Sequence, residues 1–88
     1  MIVEKKSWPE SFVKFLSGEK NADLRIADFK INAGDTLVLK EYNPKSKKFS
    51  GRRLEKKVLR VGKFSKLFKN YKAEDLKKKG LLLIELVE

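Results

Sequence analysis

The chain contains neither cysteine nor histidine. No disulfide can staple it, and the commonest general base and the commonest metal ligand are missing. A domain of 88 residues buries only about 60–65% of the surface its unfolded chain exposes. Close packing of one small core must therefore supply the stability. Hydrophobic residues make up 41% of the chain, enough for such a core although 39% of the residues are charged. A single domain over residues 1–88 is the expectation. No apolar run approaches the roughly 20 residues of a membrane span, and the opening MIVEKKSWPE lacks the apolar centre of a signal peptide. These features predict a cytoplasmic protein with no membrane partner, no metal and no cofactor.

Local patterns divide the chain into short elements. Ile2 to Lys6 reads as a first strand. Ser7-Trp8-Pro9-Glu10 has the form of a capping box, with Pro9 in the first turn where its missing N–H costs nothing. Trp8, Phe12, Phe15 and Leu16 then fall on one helical face, which predicts that Trp8 packs into the core. Gly18 supplies a left-handed stop. Ala22 to Ile26 alternates, with Ala22, Leu24 and Ile26 as the expected buried face and Asp23 and Arg25 opposite. Ala33-Gly34-Asp35 is a turn. Thr36 to Tyr42 and Arg53 to Val61 read as a β-hairpin; Asn43-Pro44 with Lys45 to Lys48 is a turn, Phe49-Ser50-Gly51 leads into the second strand, and the long basic tip between Pro44 and Arg53 is expected to be flexible. Phe64, Leu67, Phe68 and Tyr71 return to helical spacing, Ala73 to Lys79 reads as a second short helix, and Leu81 to Val87 is a last, central strand. Mostly β elements in so short a chain predict an α+β domain, a small mixed sheet curled into a barrel.

Charge is unevenly distributed. Residues 40–79 hold 16 basic and 4 acidic side chains, a net of +12, whereas the rest of the chain holds 6 basic and 8 acidic, a net of −2. Such asymmetry points to a polyanion-binding face. Lys45, Lys47, Lys48, Arg52, Arg53, Lys56, Lys57, Arg60, Lys66, Lys69 and Lys72 are its candidate phosphate contacts, interleaved with Tyr42, Phe49, Phe64, Phe68 and Tyr71. The competing reading is a solvated lysine surface, with the aromatic residues of 64–71 packing a short helix.

The segment Gly18-Glu19-Lys20-Asn21-Ala22-Asp23-Leu24-Arg25 raises a sharper question. A strand face bearing Asp23 and Arg25 cannot enter an apolar core unpaired. It must meet a partner charge, such as Asp35 or Glu85 for Arg25, or else water or a ligand. In the ligand reading Lys20 and Arg25 hold an anionic or base-edge group.

Gly18-x-Lys20-x-x-Asp23-x-Arg25, preceded by Trp8-Pro9-Glu10 and followed by Gly34-Asp35, Asn43-Pro44 and Ser50-Gly51-Arg52, resembles the ASCH domains of the PUA-like superfamily, in particular a small bacterial and phage subgroup without assigned function. The resemblance runs from about Lys6 to Val87. It implies a β-barrel of five or six strands with an N-terminal helix packed on it, and a cleft beside Lys20, Asp23 and Arg25. It also implies binding of RNA or modified nucleotides. Some members are amidohydrolases acting on acetylated cytidine. Those carry a threonine where this chain has Asp23, and a later glutamate that has no clear counterpart here. Asp23 has no hydroxyl to serve as nucleophile, and a lysine acts as a base only when its pKa is lowered, so the resemblance supports binding above catalysis.

Three functions are thus in view. The first is a nucleic-acid-binding module, with RNA as the partner, whose affinity falls with salt at a slope near −4 if about five phosphates are neutralised. The second is a hydrolase acting on an acylated nucleoside, with Lys20 at its centre. The third is an interfacial membrane or protein module built on residues 63–79, which the needs of the core disfavour.

Overall fold

Alternate apolar positions on successive strands meet in one core. A computed structural model describes residues 1–64 and 80–87. In it the chain runs β1 (Ile2–Ser7), α1 (Pro9–Ser17), β2 (Ala22–Ile26), β3 (Thr36–Asn43), β4 (Lys48–Phe64) and β5 (Leu81–Leu86). Leu37 and Leu39 of β3, Val58 of β4, and Leu82, Ile84 and Leu86 of β5 face the same side and are buried there with Phe12 and Phe15 of α1 and Ile31 of the β2–β3 connection. Among the described residues no helix is long and apolar enough to cross a membrane.

The five strands form one sheet in the order β1-β3-β4-β5-β2. β1 runs parallel to β3, and the other neighbours are antiparallel. The sheet is open. The barrel expected from the sequence does not close, because β1 and β2 are its two edges and no backbone ladder joins them. A side chain crosses the gap instead: Arg25 of β2 donates from Nη2 to the Lys6 carbonyl of β1 at 2.7 Å. The helix is the second element, after β1, and it packs on the core side of the sheet.

The start of α1 departs from the predicted capping box. Ser7 is still in β1, paired with Glu41 of β3. The N-cap is Trp8, in extended conformation and with no side-chain cap. Pro9 explains the shift: its fixed φ suits the first helical turn, and it holds the preceding residue extended. Trp8 therefore lies outside the helical repeat that was to carry it into the core, and 61% of its surface is exposed. The buried stripe narrows to Phe12 and Phe15, and Leu16 is exposed. Gly18 ends the helix as expected, with φ 83° and its N–H donating to the Phe15 carbonyl.

The hairpin also differs. β4 begins at Lys48, so the tip is the tight turn 44–47 rather than a long flexible loop. Asn43 builds that turn, its Oδ1 accepting from the amides of Lys45 and Ser46. Phe49 is paired with Tyr42. The register with β3 then shifts between Lys40 and Tyr42, where Gly51 adopts φ 94°. Phe64 is the last residue of β4, opposite Leu81, rather than the start of a helix. The other helical expectations over 65–79 lie outside the described residues.

Phe15→Ala should cost about 3–5 kcal/mol in urea unfolding, whereas Leu16→Ala should change stability by no more than about 0.5 kcal/mol. Similar losses at both positions would contradict this helix orientation.

Candidate functional site

β2 sits with its polar face inward. Asp23 pairs with Ile84 and Arg25 with Leu82, two buried residues of β5. Cross-strand partners share a face, so Asp23 and Arg25 point to the core side. Asp23 is 6% exposed and Leu24 59%, the reverse of the expected Ala22-Leu24-Ile26 buried face. Alternation alone gives two faces without saying which is inner. Register against β5 decides that, and a slip of one residue would exchange them.

The buried carboxylate has its counter-charge beside it. Arg25 Nε donates to Asp23 Oδ2 at 2.5 Å, while Nη2 reaches the Lys6 carbonyl. Neither of the two expected partners takes Arg25. Asp35 accepts from the Met1 amino group and the Asn32 amide, and Glu85 pairs with Arg60. The two Arg25 bonds use two of the five N–H donors of a guanidinium.

Around this pair lies a cleft of about 230 Å³, lined by Lys6, Ser7, Trp8, Ser11, Lys20, Asp23, Leu24 and Arg25. The three expected site residues, Lys20, Asp23 and Arg25, are thus brought together. The Lys20 ammonium lies 4.9 Å from the centre of the Phe15 ring, a cation–π distance. The other lining residues escaped the sequence reading. Among them is Trp8, whose signal was the proline that follows it. Another is Ser7, buried at 3% exposure, whose hydroxyl has no hydrogen-bond partner among the described residues. Trp8 also borders a neighbouring concavity of about 320 Å³ that includes Pro9, Asn43, Pro44 and Lys45. That space is larger but lacks a buried ion pair.

The structure divides the basic stretch. Lys45 adjoins Trp8 through the second concavity, and Lys48 lines a third beside Pro9. Lys47 is in the turn. Arg52 turns to the helix side, where its guanidinium grips the buried Glu41 through two bonds of 3.0 and 2.7 Å and lies 5.2 Å from the Phe12 ring centre. Arg53 pairs with Glu55, and Arg60 with Glu85. Lys57 is exposed on β4 and Lys56 half-buried. Lys66, Lys69 and Lys72 lie outside the described residues. Among the described candidates, the adjacent Arg52 and Arg53 thus point to opposite faces of β4.

The family model described as "Domain of unknown function (DUF3850)" matches residues 2–75. The chain belongs to this family. The crystal structure of the hypothetical protein PH0355 is similar in fold, with a TM-score of 0.72 and 19% identity, over 98% of this chain and 97% of that one. No curated protein matches the chain.

In this DUF3850 domain two carboxylates outside the cleft are held below their ordinary pKa. Glu41 is lowered first by its hydrogen bonds from Arg52 and then by one from the Ser50 hydroxyl. Asp35 is lowered first by the Asn32 amide. A lowered folded-state pKa contributes stability above the unfolded pKa, and that contribution is lost as pH falls through the folded value. The urea midpoint should thus fall as pH drops below the ordinary carboxylate range, and Glu41→Gln should remove part of the fall. Parallel pH profiles for the two proteins would contradict the assignment. Within the cleft, Arg25→Met should cost about 3–5 kcal/mol, because it leaves Asp23 buried without its counter-charge. Arg60→Met, at an exposed pair, should cost no more than about 1 kcal/mol. Comparable losses would show that Asp23 does not depend on Arg25.

Proposed function

We propose that this domain binds nucleic acid, RNA or a modified nucleotide, by taking one base into the cleft between the end of β1, the start of α1 and β2. The observation that carries the reading is an exposed tryptophan beside a buried carboxylate paired with a half-buried guanidinium. An exposed indole offers a stacking platform that every base can use. A carboxylate accepts from amino or ring N–H groups, and a guanidinium donates to carbonyl oxygens, so the pair meets a base edge with both kinds of group. The volume, about 230 Å³, is below the 300 Å³ or so at which drug-sized pockets begin and suits a base better than a whole nucleotide. Lys20 at the rim supplies charge for a phosphate or a base carbonyl.

On this reading the chain is an ASCH-like member of the PUA-like superfamily in which the seam between β1 and β2 stays open and its lining is the recognition surface. Affinity and selectivity separate: the cleft selects, and the surrounding cations hold the backbone. Hydrolysis of an acylated nucleoside is the second reading. It is favoured by the Ser7 and Ser11 hydroxyls that line the cleft together with Lys20, and opposed by the burial of Ser7.

The single tryptophan makes the test direct. Nucleosides and short RNAs should quench Trp8 fluorescence, and Trp8→Ala should weaken RNA binding by about 1–3 kcal/mol, the worth of one stacked base. Unquenched Trp8 at saturating RNA, or full affinity in the alanine variant, would refute the cleft reading. Turnover of an acylated cytidine that disappears in Lys20→Ala would replace binding with catalysis.

A further inference from the structure

The outer face of the sheet carries a feature the cleft does not use. Lys6, Lys40 and Arg53 are cross-strand neighbours on β1, β3 and β4, so three cations stand side by side in one row. Like charges directly opposite each other destabilise a sheet. Their counter-ions are weak: Lys40 meets Glu4 at 3.9 Å and Arg53 meets Glu55 at 3.6 Å, with Lys40 half-buried and the other three side chains exposed, and such solvent-facing pairs contribute little. Lys6 makes no ion pair among the described residues. Its ammonium lies 4.3 Å from the centre of the Tyr42 ring, and that of Lys40 lies 5.3 Å from the centre of the Phe49 ring. Tyr42 and Phe49 pack edge to face at 4.9 Å, and Phe49 remains 49% exposed. A cation row beside an exposed aromatic ring is what single-stranded nucleic acid selects: phosphates along the charges, a base on the ring.

The row also connects with the cleft. Lys6 lines the cleft and a shallow hollow of about 210 Å³ on the outer face, shared with Lys40 and Phe49. Strands stand about 4.8 Å apart, so three of them span roughly 10 Å. Cations spread over that span can meet successive phosphates of one strand. We propose that the Lys6–Lys40–Arg53 row with Phe49 is a second contact site, which takes the segment of single-stranded nucleic acid leaving the cleft. The ligand class is therefore an oligonucleotide rather than a free nucleotide. The inference rests on the nucleic-acid reading above, though not on which base the cleft takes. An acidic peptide would satisfy the charges but would not need the ring.

The test compares the intact protein with the double variant Lys40→Gln/Arg53→Gln and with Phe49→Ala. Two probes are used: a single-stranded RNA octamer read by fluorescence polarisation, and a nucleoside monophosphate read by Trp8 quenching. The double variant should bind the octamer about tenfold more weakly at low salt, and its log–log salt slope should shrink by about 1.4, as two lost phosphate contacts require. Phe49→Ala should weaken the octamer with little change in slope. Both variants should keep the monophosphate quenching of the parent. Unchanged octamer affinity and slope in the double variant would overturn the row while leaving the cleft intact. So would an oligoglutamate that binds as tightly as the octamer, together with octamer binding that Phe49→Ala leaves unchanged. Octamer binding that depends on the row, without monophosphate quenching, would uphold the row and refute the cleft.

Discussion

The structure turns on one guanidinium. Arg25 neutralises Asp23, which the register of β2 against β5 has buried, and satisfies the Lys6 carbonyl on the far edge of the sheet. An unpaired buried carboxylate is costly. One side chain removes that cost, bonds to the other edge strand as well and still has donors left over. It also reaches from β2 to β1, the two edges of the open sheet, and the cleft lies beside that bridge.

The start of α1 completes that cleft. Pro9 begins the helix, so Trp8 is left outside it, extended and exposed at the rim. Ser7, one residue earlier, is still held in β1 opposite Glu41. Its hydroxyl goes into the wall of the cleft rather than onto a helix amide. The neighbouring Glu41–Arg52 pair, covering Phe12, fixes β3 and β4 beneath the helix. β1, the start of α1 and β2 thus supply most of the cleft lining, and the α1–β2 connection adds Lys20.

The parts of this fold visible in the sequence were those set by local chemistry. Gly18 stopped the helix where a left-handed residue was needed, Thr36 opened β3, and Lys20, Asp23 and Arg25 were recognisable as one group. The failures came where a distant contact decided the outcome. Alternation in β2 could not say which face met β5, so Leu24 was expected inside and Asp23 outside. The helical repeat carried Trp8 into the core on spacing that stops at Pro9. Charge counting grouped Arg52, Arg53 and Arg60 without showing their partners, which come from three strands: Glu41 of β3, Glu55 of β4 and Glu85 of β5. The Lys6–Lys40–Arg53 row was invisible for the same reason, since its members lie far apart in the chain and only pairing unites them.

The central claim is that the inward-turned polar face of β2 is a recognition surface and not merely a closure of the sheet. The most direct measurement is a nitrogen–proton correlation spectrum recorded while a nucleoside is titrated in. Shifts are expected at the indole N–H of Trp8 and the Nε–H of Arg25, saturating together with those of the Asp23 and Lys20 amides. Shifts confined to the outer face of β4, with Trp8 and Arg25 unmoved at saturation, would contradict it and leave the Asp23–Arg25 pair a purely structural bridge.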